Sequence, residues 1–142
     1  MERPGSDIGR ATLWYVAPTM ASERILILDD DAAVLAAVEL TLQKAGYTVQ
    51  TTSQVFGLPA LVGKFHPDLI LLDFDLPALT GDKLAVSLQG LRPGRECPIV
   101  FHSAESEALL ARSVRETGAA GYIPKGLPRA EFLGRIKAYL KR

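Results

Sequence analysis

Five polar residues stand where an apolar run passes into a turn. Asp29 and Asp30 follow Ile25-Leu26-Ile27-Leu28, and Asp73 follows Leu69-Ile70-Leu71-Leu72. Ser103 follows Pro98-Ile99-Val100-Phe101-His102, and Lys125 follows the stretch from Ala119 to Pro124. Three carboxylates within a few ångströms repel, so at least one resists ionising unless a cation joins them. An all-oxygen set of this kind suits Mg²⁺, which keeps several waters and uses few carboxylates. Lys125 adds a fixed positive charge, and the Ser103 hydroxyl adds a donor for an anion held between metal and lysine. Such a set suits a tetrahedral oxyanion beside Asp73, and so phosphoryl transfer to that carboxylate.

These side chains meet only if the apolar runs are neighbouring strands with their carboxyl ends on one edge. Short continuous apolar runs bounded by turn residues read as strands buried on both faces of a parallel sheet. Pro67 and Pro77 bound the run that leads to Asp73. Between the runs lie helical stretches. The first covers about Ala32 to Lys44, with Leu35, Val38, Leu42 and Ala45 at inward spacing and Gly46 at its end. Tyr47 to Thr51 reads as the second strand, at a sheet edge, with Val49 inward. Gly57, Pro59 and Gly63 leave room only for a short second helix, about Leu58 to Phe65. A third helix is expected from about Gly81 to Leu91, followed by a turn at Arg92-Pro93-Gly94-Arg95. A fourth covers about Ser106 to Thr117, stopped by Gly118, and a fifth is opened by Pro128, with Phe132, Ile136, Tyr139 and Leu140 inward. Five strands alternating with five helices imply a doubly wound α/β fold, and its carboxyl edge is where ligands bind.

Length and composition narrow the function. A chain of 142 residues holds one domain with a real core. Sixteen basic residues balance sixteen acidic ones, so no global field draws nucleic acid. The lone Cys97 cannot form an internal disulfide and fits a reducing cytoplasm, where it reads as a small apolar residue. No apolar run approaches a membrane span, and the N-terminus, carrying Glu2 and Asp7, does not read as a signal peptide. Residues 1–23 are punctuated by Gly and Pro and lack a sustained period. They read as a loosely ordered N-terminal extension to a domain over 24–142, with Leu13 to Val16 as one candidate short strand.

The chain resembles the receiver domain of two-component response regulators. The resemblance rests on Ile25 to Asp31, Pro67 to Asp73, Leu76-Pro77 with Gly81, Pro98 to Ala104, and Gly118 to Lys125, in order and at suitable spacing. It implies a flavodoxin-like five-stranded parallel sheet of order 2-1-3-4-5 with helices on both faces. It implies that Asp73 is a phosphoacceptor, served by a histidine kinase or phosphotransfer protein. Asp29, Asp30, Asp73 and the main-chain carbonyl of Asp75 would hold Mg²⁺, and Lys125 would pair with the phosphoryl group. Ser103 and Tyr122 would be the switch residues, and the fourth helix, fifth strand and fifth helix the output face. A phosphorylated signalling protein of the cytoplasm is implied, not an enzyme beyond its own phosphotransfer and dephosphorylation. The resemblance leaves room for a homodimer and gives no reason to expect nucleic-acid or membrane binding.

Three positions depart from the family pattern. Gly126 follows Lys125 where Pro is usual, so a trans peptide is expected there. Thr80 precedes Gly81 where Asp is common, and Asp75 adds an acid two residues past Asp73. Two other functions compete. One is a receiver-like interaction module that works without phosphorylation. The other is an aspartate-nucleophile phosphatase suggested by Asp73-Phe74-Asp75, but Pro77 stands where that family places Thr. His66 and His102 read as structural, and consecutive strand residues point to opposite faces, so His102 and Ser103 do not form a hydrolase pair. With the chain ending at Arg142, a stand-alone receiver and a fragment of a longer protein both remain open.

Overall fold

The apolar runs of the sequence become the centre of a sheet in the computed structural model, which describes residues 22–75, 80–89 and 97–141. Strands are β1 (Arg24–Leu28), β2 (Thr48–Thr52), β3 (Leu69–Leu72), β4 (Ile99–Ser103) and β5 (Gly121–Pro124). Helices are α1 (Ala32–Lys44), α2 (Leu58–Phe65), α3 (Gly81–Gln89), α4 (Glu107–Thr117) and α5 (Arg129–Leu140). The extension and its candidate strand over 1–21, Leu76-Pro77, Leu91 and the turn at Arg92–Arg95 lie outside the described residues.

All strand pairs are parallel, in the spatial order β2-β1-β3-β4-β5. This is the expected 2-1-3-4-5 order. Register sets the functional edge. Leu28 lies beside Leu72, Leu72 beside Phe101, and Ser103 beside Pro124. The residues that follow these partners therefore emerge at nearly the same height.

Apolar side chains divide by the two-residue period of the strands. Leu26, Leu28, Ile70, Leu72, Ile99 and Phe101 pack with α2, α3 and α4 through residues such as Val62, Leu84 and Leu110. Ile25, Ile27, Leu69, Leu71, Val100 and Ile123 pack on the other side with Leu42, Phe132 and Ile136 of α1 and α5. β1 and β3 are thus buried on both faces, which is why they read as unbroken apolar runs.

Local chemistry fixes the helix ends. The Asp31 side chain accepts from the backbone N–H groups of Ala33 and Val34, satisfying donors that α1 cannot use internally. Ser106 does the same for Leu109 at the start of α4. α2 occupies the expected residues, with Pro59 in its first turn. Three expectations shift. Ala45 is the exposed C-cap of α1 rather than an inward residue. Tyr47 precedes β2, and β5 begins at Gly121 rather than Ala119. Backbone bonding to β2 starts just before β1, since Glu23 O accepts from Thr48 N at 3.0 Å.

Candidate functional site

The site begins with register. The Asp73 backbone N–H donates to Leu28 O at 2.9 Å, and the Asp29 N–H donates to Thr52 O at 3.2 Å. These continue the ladder one step past β3 and β1 and hold the two aspartates side by side. Asp29 and Asp73 are 1% and 5% exposed, deep enough that each carboxylate needs a partner. Asp30 is exposed beside them. The three carboxylates offer oxygens that lie within 4.8 Å of one another. Asp31 stands apart as the helix cap, so the third acid of that run has its own task.

Lys125 supplies the counter-charge. Its backbone N–H donates to Ser103 O at 2.9 Å, fixing it beside the end of β4. Its Nζ lies 2.8 Å from Asp29 Oδ2 and 3.6 Å from Asp73 Oδ1. Asp29 Oδ2 is buried and accepts no hydrogen bond of good angle, so this ion pair is what meets its charge. Asp29 Oδ1 accepts from Asp31 N at 2.9 Å, and Asp73 Oδ1 from Asp75 N at 3.3 Å.

The electrostatics follow from this crowding. Burial, then the Asp29 charge, pushes the Asp73 carboxyl up to about 6, with Lys125 and the Asp75 N–H pulling the other way. Burial works against the Lys125 ammonium, but its contacts with Asp29 and Asp73 outweigh it and raise its pKa. A site with three acids and one lysine carries an excess of negative charge. The donor set is all oxygen and partly open through Asp30, which fits a hard divalent cation such as Mg²⁺.

Ser103 is 1% exposed, and its Oγ accepts from Glu105 N at 3.0 Å. His102, one residue earlier, packs instead on Phe132 of α5 with ring centroids 5.5 Å apart. The two do not pair, as expected from strand alternation. Tyr122 is half-buried on β5, and its hydroxyl donates to Glu107 Oε1 of α4 at 2.9 Å. The Tyr139 hydroxyl donates to Tyr122 O at 3.4 Å, tying α5 to the same strand.

Three features escaped the sequence reading. The Glu105 carboxyl faces the Asp75 side chain at the rim, and this contact, then the Asp75 charge, raises the Glu105 pKa. No motif marks Glu105. Gly81 packs against the backbone of Asp73: its N–H donates to Phe74 O at 2.7 Å. A Cβ there would stand 2.5 Å from Asp73 O and 2.7 Å from Phe74 Cα. Glycine is required here for close approach rather than for dihedral freedom. Gly126 has φ +89°, a conformation proline cannot take. None of the described peptide bonds is cis, so Lys125–Gly126 is trans as expected. Thr80 is exposed, and its carbonyl accepts from Leu84 N as α3 begins.

Comparison with known proteins agrees with this geometry. The sequence profile of the response regulator receiver domain matches residues 25–137. The transcriptional regulatory protein PrrA of Mycobacterium leprae is 34% identical over 125 residues, covering 87% of this chain and 52% of PrrA. The phosphate regulon transcriptional regulatory protein PhoB of Pseudomonas aeruginosa is 33% identical, covering 87% of this chain and 54% of PhoB. The chain thus spans about half the length of these curated relatives. The BeF3-activated N-terminal receiver domain of Klebsiella pneumoniae RstA superposes with a TM-score of 0.76 at 29% identity, covering 84% of this chain and all (100%) of that one. A CheY-like receiver domain from Methanospirillum hungatei gives 0.76 at 28% identity, covering 85% of this chain and 95% of that one. No described helix is long and apolar enough to cross a membrane. This chain belongs to the response regulator receiver domain family of two-component signalling systems.

Proposed function

We propose that Asp73 accepts a phosphoryl group from a histidine kinase or phosphotransfer protein, and that the domain is a signalling switch set by that modification. The observation that carries this is the placement of a buried Asp73 carboxylate 3.6 Å from Lys125 Nζ and within reach of Asp29 and Asp30. An Asp73 oxygen attacks phosphorus, the bond from phosphorus to the donor breaks, and its electron pair leaves with the donor. The product is an acyl phosphate. Asp29, Asp30, Asp73 and the main-chain carbonyl of Asp75 would hold Mg²⁺. The ion, when bound, offsets charge on the phosphoryl oxygens. Lys125 supplies a fixed counter-charge, and the Asp75 N–H orients Asp73 Oδ1. The Ser103 hydroxyl is within the same edge and suits donation to a phosphoryl oxygen, drawing the β4–α4 loop with it.

The output follows from contacts already present. Tyr122 bridges β5 to α4 through Glu107 and is held from α5 by Tyr139. A shift of Ser103 would therefore bias an existing two-state arrangement on the α4–β5–α5 face. A downstream protein or a second copy would read that face. The neutral net charge gives this domain no general field for nucleic acid, and the single cysteine fits a cytoplasmic protein. The switch is assigned to residues 24–142, with 1–23 an extension outside it.

Incubation with acetyl phosphate and Mg²⁺, read by intact mass and peptide mapping, tests the assignment. The expected result is one hydroxylamine-sensitive phosphate on Asp73, absent from Asp73→Asn. Mg²⁺ binding without any adduct, from acetyl phosphate or from a panel of kinases, would favour a module that works without phosphorylation.

A further inference from the structure

β5 opens on Gly121, a buried residue paired with Val100 of β4. Glycine weakens a strand, since it brings no side chain to pack, and it often marks a close approach. Its φ here is not positive, so no turn requires it. The approach is made by Tyr139 of α5. A Cβ at Gly121 would overlap the Tyr139 hydroxyl and stand 2.6 Å from its Cζ. The phenol tip therefore fills the slot that the missing side chain leaves. From there the hydroxyl donates to Tyr122 O at 3.4 Å. The rest of the Tyr139 ring is half-buried against the core on the α1–α5 side, with Phe132 and Ile136 of the same helix.

Two helices thus hold one residue through different groups. α4 holds the Tyr122 side chain, whose hydroxyl donates to Glu107. α5 holds the Tyr122 main chain. Rotation of the Tyr122 side chain changes the first bond and leaves the second in place. Displacement of the strand backbone changes the second, and β5 has a cause for displacement at its far end. Lys125 directly follows Pro124, with its Nζ 2.8 Å from Asp29 Oδ2 and 3.6 Å from Asp73 Oδ1. A phosphoryl group on Asp73 adds negative charge there and draws the ammonium toward it. The other ring contact of α5, Phe132 on His102, is tilted at 46° and nondirectional. Resting on phosphorylation of Asp73, we infer that Tyr139 is a positioning residue that couples α5 to the β5 backbone. The phosphorylated edge then reaches α5 through Lys125 and β5, separately from its route to α4 through Ser103 and the Tyr122 side chain.

The whole chain is treated with acetyl phosphate and Mg²⁺, the adduct is counted by intact mass, and amide resonances are compared by NMR at equal adduct. In the wild type, shifts are expected in α4, at Leu109 and Leu110, and in α5, at Arg135 and Lys137. Tyr139→Phe keeps a ring in the slot and removes the hydrogen bond. It should lose most of the α5 shifts and keep those of α4. Gly121→Ala drives the phenol from the slot with both tyrosines intact, and should do the same. Tyr122→Phe should show the converse, keeping the α5 shifts and losing most of those in α4. A merely structural Tyr139 would lower the melting midpoint of Tyr139→Phe and leave the ratio of α5 to α4 shifts at its wild-type value, which would overturn the inference. So would a Tyr122→Phe that diminishes both sets equally, since the two routes would then be one. Absence of any adduct on Asp73 overturns the phosphorylation reading and this inference with it. An adduct with unchanged α5 shifts in Tyr139→Phe overturns this inference alone.

Discussion

β4 ends in two buried polar residues that serve opposite sides of the sheet. Ser103 belongs to the acidic edge, where Asp29, Asp73 and Lys125 are cross-linked by charge. His102 belongs to the α1–α5 side of the sheet, where its ring packs on Phe132 and its buried Nδ1 has no hydrogen-bond partner. Burial pushes both regions toward neutrality, taking Asp73 up to about 6 and His102 down to about 4. The difference lies in what surrounds the group. At the acidic edge, like charge adds to burial, and the system is eased by a cation or by Lys125. At His102 burial acts on a ring packed against another ring, and the imidazole stays neutral. One end of the strand is built to exchange charge and the residue before it to exclude charge.

The largest expected effect separates the two regions mechanically. Gly81→Ala forces a Cβ to within 2.5 Å of Asp73 O, and backbone on both sides leaves little room to yield. The β3–α3 loop must shift, at a cost of about 1–3 kcal/mol, the range for forced overpacking. Urea denaturation should record that loss, and phosphorylation by acetyl phosphate should fall with it. Val34, Val38 and Leu127 lie on the α1–α5 side of the sheet, so their resonances should stay in place. Movement of those resonances would mean that the regions are one mechanical unit.

Most of this division was legible in the residues. Continuous apolar runs predicted β1, β3 and β4, and their carboxyl ends predicted where Asp29, Asp73 and Ser103 would stand. Asp30 and Lys125 came with them, because strand register leaves few other places for turn residues next to those ends. What was hidden depends on contacts across the fold. Glu105 reaches Asp75 only because two loops approach at the rim. Gly81 looked like a helix start, and its role appears only when Asp73 is beside it. Gly126 read as the loss of a proline, whereas its positive φ needs a glycine. His102 read as structural because periodicity places a residue inward and says nothing of whether its nitrogen finds a partner. Ala45 failed for a related reason: helical spacing continued one residue past the point where α1 caps.

A smaller effect comes from ionisation of Asp73. Its folded pKa of about 6 stands above the ordinary 3.8. The folded state therefore holds a proton that the unfolded state releases, and the carboxyl favours folding below about pH 3.8. That contribution is lost as pH rises through about 6. Asp73→Asn cannot ionise, so without Mg²⁺ it should be more stable than wild type at pH 7. The full shift would carry up to ~3 kcal/mol. Solvent reaches the cluster through exposed Asp30 and screens part of it, leaving roughly 1–2 kcal/mol. Thermal melts of both proteins between pH 4 and pH 7 should diverge as pH rises. Parallel curves would mean that Lys125 already neutralises the pair and that the acidic edge differs less from the surroundings of His102 than its composition implies.

The smallest effect has the opposite sign. His102 has a folded pKa of about 4 against an ordinary 6.5, because burial disfavours the imidazolium. Its contribution to stability is fully present above about pH 6.5 and is lost as pH falls through about 4, since the unfolded chain takes up a proton that the folded one refuses. Asp73 gains over much of the same window in which His102 loses, so the wild-type profile masks both. His102→Phe keeps a ring against Phe132 and removes the titration. At pH 7 it should change stability by less than about 0.5 kcal/mol, since the only hydrogen-bonding atom certainly lost is one without a partner. At pH 5 it should exceed wild type by up to about 2 kcal/mol, and its stability should then rise on acidification where wild type is flat. Denaturation at these two pH values decides the matter. A His102→Phe profile that follows wild type across this range would mean that the imidazole is hydrated in solution. The contrast between His102 and the acidic edge would then be one of degree.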